Sequence, residues 1–277
     1  MRTTSFVDTA LAPVYGFKSG ESAVHRVELS ADRIPKLVAN DQVLREGGQL
    51  GEGAYGQVVR YGVGDLSVAK KTFGPNPIEN GTIFGKKNKL EEILSSADSP
   101  VVPFHVDGKN IYMDVVTPVN DSRYTSGVIE VEEWLVKKGL LFPDFKLDNL
   151  GMYKGRVVLI DVDGIIDSRA FDEEGLITYT YGWKGLQKDR STLTLQGFFA
   201  LCVTVLELNG KEAQSFGGVD EAWKELSTSL EKVGWHKTSK LIKEPKPESL
   251  RRARDWVEKA CGTLKDDVSP RGGYRWP

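Results

Sequence analysis

Leu140-Leu141-Phe142-Pro143-Asp144-Phe145-Lys146-Leu147-Asp148-Asn149-Leu150 sets three polar groups of different chemistry, Asp144, Lys146 and Asn149, among apolar neighbours. The pattern describes a loop that leads into a hairpin. Phosphoryl transfer needs a carboxylate to orient a hydroxyl nucleophile, a cation for the γ-phosphoryl charge, and an amide oxygen for a metal. D-x-K-x-x-N supplies all three at once. The plain alternative is a loop that is polar by chance, and the segment that follows argues against it.

That segment is Val157-Val158-Leu159-Ile160-Asp161-Val162-Asp163-Gly164. Four apolar β-formers predict a buried strand that ends abruptly in two carboxylates. Burying such groups unpaired is costly, so a cation is their natural partner. Mg²⁺ is held by one or two carboxylates together with phosphate oxygens. Asp161, at the strand end, is the expected ligand. Asp163 is either a second ligand or a loop-capping residue.

Upstream lies Leu50-Gly51-Glu52-Gly53-Ala54-Tyr55-Gly56-Gln57-Val58. A bare G-x-G-x-x-G is a weak sign that an ordinary glycine-rich turn also explains. A dinucleotide fingerprint should run into a helix, whereas Val58-Val59-Arg60-Tyr61 continues as a strand. Gly51, Gly53 and Gly56 have no Cβ, so a strand–loop–strand hairpin can lay its amides close to the phosphates of ATP. Val58 would cap the adenine. On the next strand, Val68-Ala69-Lys70-Lys71-Thr72-Phe73, side chains alternate and Ala69 shares a face with Lys71. A small residue beside the base and an ammonium near the phosphates favour Lys71 over Lys70; a surface strand with two solvated lysines is the alternative. A helix over Lys86 to Ser96 carries Leu90, Ile93 and Leu94 inward. Glu91 sits at the edge of that stripe and Glu92 opposite, so Glu91 is the better inward carboxylate. Otherwise both are solvated surface charges.

The 277 residues are enough for one large domain or two lobes. With 37 Lys plus Arg against 39 Asp plus Glu, the net charge of −2 predicts no generic attraction to nucleic acid or anionic membrane. Cys202 and Cys261 cannot make a disulfide framework and are expected as buried thiols in a reducing compartment. His25, His105 and His236 lack metal-ligand spacing, so no zinc site is expected. The apolar run Phe198–Leu208 is shorter than the roughly 20 residues of a membrane span. Met1-Arg2-Thr3-Thr4-Ser5-Phe6 has no signal-peptide core. A soluble, cytoplasmic protein is the expectation.

Residues 1–45 read as a turn-rich extension with a short helix candidate around Arg33 to Val38. Residues 46–117 are mostly short strands broken by glycines. Pro118, Asn120 and Asp121 break the chain, and helices dominate residues 118–277: Glu130–Lys138 ended by Gly139, the all-round apolar Gly197–Leu208, Lys211–Val233 and Ser249–Gly262. Trp223, Trp235, Trp256 and Trp276 enrich this part and are expected to pack. The plan is α+β and two-lobed, with a ligand cleft expected at the joint.

In order, these segments resemble the eukaryotic-type protein kinase set, from the glycine loop through V-A-x-K and a helix glutamate to H-R-D-x-K-x-x-N and D-F-G. The resemblance covers Leu50 to about Gly210. It implies a bilobal protein-kinase-like fold, with a strand-rich N-lobe, a helical C-lobe and an ATP cleft between. It further implies that Lys71 contacts the α- and β-phosphates and pairs with Glu91. Asp144 is then the catalytic base, Lys146 meets the γ-phosphate, and Asn149 and Asp161 hold Mg²⁺. Ile111-Tyr112-Met113-Asp114-Val115-Val116 looks like the strand and hinge that receive adenine, with Met113 as gatekeeper and Val115 in the hinge. Ala200–Leu208 looks like the central helix of the large lobe.

Departures carry information too. His-Arg before the base is Phe142-Pro143 here. That arginine reads an activation-loop phosphate, so Pro143 implies activity without one. D-F-G reads Asp161-Val162-Asp163, and no A-P-E follows. Thr178-Tyr179-Thr180-Tyr181-Gly182-Trp183 leads instead toward the central helix, where a common helix-starting Asp is matched by Gly197. The pattern is similar to compact bacterial kinases, including effector kinases delivered into a host cytosol. Three functions compete. A protein Ser/Thr kinase is favoured by Lys146, and a small-molecule or lipid phosphotransferase by the missing A-P-E. A nucleotide-binding pseudokinase is disfavoured by retention of every phosphate- and metal-handling group.

Overall fold

Glycine-punctuated apolar runs in the first half of the chain fold as antiparallel strands, because β-branched and aromatic residues suit a pleated, half-buried surface. The structure, a computed structural model, describes residues 13–16, 25–28, 45–53, 56–63, 66–73, 82–84, 90–108, 110–171, 180–183, 186, 189–211, 217–244 and 246–269. Contacts divide the chain into two compact units. One comprises Met1–Ile78, Leu94–Pro118 and Gly151–Ile160, and the other Glu79–Ile93, Val119–Leu150 and Asp161–Pro277.

The first unit opens with β1 (Pro13–Gly16) paired antiparallel to β2 (His25–Glu28), two strands that sequence reading had not found in the extension. The helix candidate Arg33 to Val38 lies outside the described residues. Then come β3 (Arg45–Gly53), β4 (Gly56–Val63), β5 (Leu66–Phe73), β6 (Phe104–Asp107) and β7 (Asn110–Asp114). They form one sheet in the order β3-β4-β5-β7-β6, antiparallel throughout. Val59, Val68, Ala69, Phe73, Phe104, Ile111 and Met113 are buried in it. Each large apolar side chain taken out of water contributes about 1.5–3 kcal/mol.

A three-stranded sheet completes this unit: β8 (Thr117–Pro118), then β10 (Leu150–Tyr153) and β11 (Arg156–Leu159) in the order β11-β10-β8. The β10–β11 turn places Lys154 at φ 52° and Gly155 at φ 75°, the left-handed pair that a two-residue hairpin favours. Gly151 is required sterically, since a Cβ there would stand 2.1 Å from Val116 Cγ2. The hairpin is tied down where Leu159 N donates to Pro100 O at 2.8 Å and Arg156 Nη2 to Ser99 O at 2.9 Å.

The second unit is helical. α1 is Leu90–Leu94, and residues 85–89 of the longer expected helix lie outside the described residues. α2 (Thr125–Lys138) starts earlier than expected and ends at Gly139, whose φ of 76° is the left-handed stop anticipated there. β9 (Leu140–Leu141) pairs antiparallel with β12 (Ile166–Asp167). α3 (Arg190–Leu208) begins upstream of Gly197 because Asp189 caps it, accepting from Ser191 N and Thr192 N at 3.0 Å. Such caps stabilise helices by about 0.5–2 kcal/mol. α3 is long and apolar enough to cross a membrane, yet 89% of that stretch is buried in protein. α4 (Val219–Lys232), α5 (His236–Leu241) and α6 (Leu250–Val268) follow; α5 was unforeseen, and residues 212–216 lie outside the described part.

The tryptophans pack. Trp183, Phe199 and Trp223 meet ring to ring at 5.1–5.9 Å, and Trp256 stands 6.1 Å from Trp223. Lys246 Nζ lies 4.5 Å from the Trp223 ring centre and 5.2 Å from that of Trp256. Trp276 lies outside the described residues. Cys202 and Cys261 are buried free thiols.

Candidate active site

Strand register decides which sheet residues can act together. Residues directly opposite in antiparallel strands share a face. Val58 pairs with Lys71, Lys71 with Ile111, and Ala69 with Met113. Val58, Ala69, Lys71 and Met113 therefore occupy one face of the sheet. Lys70 is on the other, opposite Val59 and Tyr112, with its Nζ 5.7 Å from the Tyr112 ring centre. Lys71 Nζ lies 5.1 Å from the ring centre of Phe73. The glycines close the β3–β4 hairpin, Gly51 facing Val58 and Gly53 facing Gly56, while Ala54 and Tyr55 at its tip lie outside the described residues. Glu91 and Glu92 are both exposed on α1, with Leu90 and Leu94 buried beneath them. Lys71 and Glu91 belong to different units.

Val115 is half-buried just past β7. Between it and Met113, Asp114 is 1% exposed, and among the described residues neither carboxyl oxygen has a hydrogen-bond partner. The Tyr153 phenol approaches without meeting hydrogen-bond geometry, so burial dominates and pushes the Asp114 pKa up to about 7.

In the second unit Asp144 stands between two buried phenylalanines in the chain. Phe142 and Phe145 are 1% and 0% exposed and meet edge to face at 6.0 Å. Asp144 Oδ2 lies 3.0 Å from Lys146 Nζ. Asn149 Nδ2 donates to the Asp144 backbone carbonyl at 2.8 Å. The sequence-predicted base, cation and amide are thus together. A fourth member joins them: Lys146 Nζ also donates to Thr180 Oγ1 at 3.0 Å, and the Thr180 N–H donates to Asp144 Oδ1.

Helix α3 holds this loop on both sides of Asp144. Gln196 Nε2 donates to Pro143 O at 3.4 Å and to Tyr181 O. Thr204 Oγ1 donates to Phe145 O at 3.0 Å and shares that proton with Ala200 O at 2.8 Å. Tyr181 Oη donates to Glu207 Oε2 at 2.7 Å, and burial with that carboxylate raises the phenol's pKa. Fixing the loop on both flanks of Asp144 restricts the motion of its carboxylate.

Pairing of β9 with β12 brings the stretch after β11 back beside the loop. Asp161 is half-buried and precedes one turn of 3₁₀ helix over Val162–Gly164. A Cβ on Gly164 would stand 2.6 Å from Asp161 Oδ2 and 2.8 Å from Phe142 Cε2, so glycine leaves room for the carboxylate. Asp163 is half-buried within the same turn. Among the described residues no group of three or more His, Cys, Asp or Glu is arranged for a metal. A hard cation completed by phosphate oxygens needs fewer protein ligands than that. With Asn149 Nδ2 engaged by the loop, its carbonyl oxygen is the atom left to accept a cation, and Asp161 adds a carboxylate seated on Gly164. Both are hard oxygen donors of the kind that Mg²⁺ takes.

Sequence reading missed Thr180, Gln196, Thr204 and Gly164 as parts of the site. Thr180 stood in the quoted Thr178–Trp183 segment, but a partner 36 residues from Asp144 leaves no periodic trace. Thr178 and Tyr179 lie outside the described residues.

No family model and no curated protein matches the chain in sequence. Among solved structures it is similar to the kinase domain of Mycobacterium tuberculosis PknI, at 13% identity and a TM-score of 0.47, over 81% of this chain and 96% of that one. The elements have the order of a protein-kinase-like fold: a five-stranded antiparallel sheet, then a helical unit whose first long helix leads into the Asp144 loop and whose buried helix anchors it.

Proposed function

We propose that this chain is an ATP- and Mg²⁺-dependent protein serine/threonine kinase that works without activation-loop phosphorylation. The observation that carries the proposal is the closed set Asp144, Lys146 and Thr180, in which Lys146 Nζ is 3.0 Å from both Asp144 Oδ2 and Thr180 Oγ1. A carboxylate so placed accepts the proton of a substrate hydroxyl as its oxygen bonds to the γ-phosphorus and the bond to the departing ADP oxygen breaks. Lys146 offsets negative charge on the transferring group. Gly51, Gly53, Gly56, Val58, Ala69, Met113 and Val115 serve the nucleotide, and Lys71, supported by Glu91, its phosphates. Asn149 and Asp161, with Asp163 as a further carboxylate, would hold Mg²⁺, which supplies charge neutralisation at the phosphate oxygens when bound.

Pro143 stands immediately before the base and offers no cation to a phosphorylated loop. A protein hydroxyl substrate and a cytosolic setting, the chain's own or a host's, complete the reading. Asp144→Ala tests it. Transfer of labelled phosphate from ATP·Mg²⁺ should fall by at least about 10²–10⁴-fold, the range for losing a general base. ATP affinity should stay within about twofold. Full activity in Asp144→Ala would refute the assignment.

A further inference from the structure

Glu132 is a buried acid that the proposed chemistry does not use. It lies on α2, 2% exposed, and among the described residues its Oε2 has no hydrogen-bond partner. An uncompensated polar atom in an apolar interior costs free energy, so its retention calls for a reason. Its surroundings supply one. Across from it is Gly197, in the middle of α3, where glycine weakens a helix relative to alanine by about 1 kcal/mol. A Cβ on Gly197 would stand 2.6 Å from Glu132 Oε1 and 3.4 Å from the backbone oxygen of Phe142. Glycine thus opens a notch in α3 that the Glu132 carboxyl enters, and the notch is bordered by the carbonyl two residues before Asp144.

We infer that Glu132 is a positioning residue: seated on Gly197, its carboxyl group steadies the Phe142 carbonyl and so fixes the approach of the Asp144 loop. The inference rests on reading that loop as catalytic. It adds a third hold from within the helical unit, beside those of Gln196 on Pro143 O and Thr204 on Phe145 O.

Burial raises the pKa of Glu132 to about 8, so at neutral pH it is mostly a carboxylic acid that can donate to a carbonyl. The other titratable groups there are Cys202 on α3 and Cys261 on α6, both raised by burial and neutral as well. Glu133 and Lys265 satisfy each other at 2.5 Å. The folded pKa lies above the unfolded one, so the stabilising contribution is complete below about pH 4.5 and declines as pH rises toward about 8. Ionisation places a charge in this apolar notch and removes the proton that the inferred donation to the Phe142 carbonyl requires.

The test compares wild type, Glu132→Gln and Glu132→Ala in two readouts. The first is amide hydrogen exchange over residues 142–146 at pH 6 and pH 9, corrected for intrinsic rates, which needs no activity. Wild type should lose protection at least about tenfold more at pH 9 than Glu132→Gln does, while Glu132→Ala is unprotected at both. The second is phosphotransfer. Glu132→Gln should keep kcat within about threefold at pH 7 and lose the alkaline fall above about pH 8, whereas Glu132→Ala should lose at least tenfold in kcat with unchanged ATP affinity. Equal protection and equal pH profiles in all three proteins would overturn the inference. If none transfers phosphate, the proposed function fails, and hydrogen exchange alone decides whether Glu132 holds the loop.

Discussion

Thr180 closes the polar cluster in a way that no single motif residue does. Its N–H fixes one oxygen of Asp144, and its hydroxyl oxygen accepts a hydrogen bond from Lys146, which in turn pairs with the other oxygen of Asp144. Three short contacts orient the Asp144 carboxylate and the Lys146 ammonium relative to one another. Thr180→Val preserves the shape and removes the hydroxyl, so Lys146 loses one of its two fixed partners. We expect kcat to fall about 10–10²-fold with little change in ATP affinity, since small displacements at a reacting centre cost rates of that order. Steady-state kinetics with ATP and a protein substrate measure this. A wild-type kcat would mean that Thr180 is incidental to the cluster. Asp144, Lys146 and Asn149 were legible because three chemistries within a short loop are improbable by accident. Thr180, Gln196 and Thr204 were not, because each is an ordinary polar residue until long-range packing brings it to the loop.

Elements decide what these residues can reach. The alternation along Val68–Phe73 favours Lys71 over Lys70, and in the register of β4, β5 and β7 Lys71 shares its face with Val58, Ala69 and Met113, Lys70 with Val59 and Tyr112. Lys71→Met should therefore lower kcat/KM for ATP at least about tenfold more than Lys70→Met, measured side by side. The reverse order would place the nucleotide on the other face. The buried helix α3 was legible from Phe198 to Leu208, where apolar residues run all round. Its polar first two turns were not, although Asp189 followed by Arg190-Ser191 was an available capping signal. Gly139 announced the end of α2 by composition alone, and its left-handed φ agrees. Strands β1 and β2 escaped notice because short pairs among turn-forming residues carry little periodic signal.

Across the whole molecule, the residues given a role in the proposed function are divided between the compact units: the sheet unit carries Val58, Ala69, Lys71 and Met113, and the helical unit carries Asp144, Lys146, Asn149, Asp161 and Thr180. Order along the chain made the kinase-like plan legible, because each motif constrains the next. On the proposed function, Pro143 separates this chain from a phosphorylation-controlled kinase, and the loop is set by internal contacts from α3 such as those of Gln196 and Thr204 rather than by an added phosphate. One measurement tests that claim most directly: the phosphatase-treated protein, freed of phosphatase, is incubated with γ-labelled ATP·Mg²⁺ and a cell lysate, and the labelled amino acids are identified alongside an Asp144→Ala control. The account predicts phosphoserine or phosphothreonine from the treated wild type, undiminished by the treatment and absent with Asp144→Ala. Label confined to small molecules, marked inactivation by the phosphatase, or equal labelling by the control would contradict it.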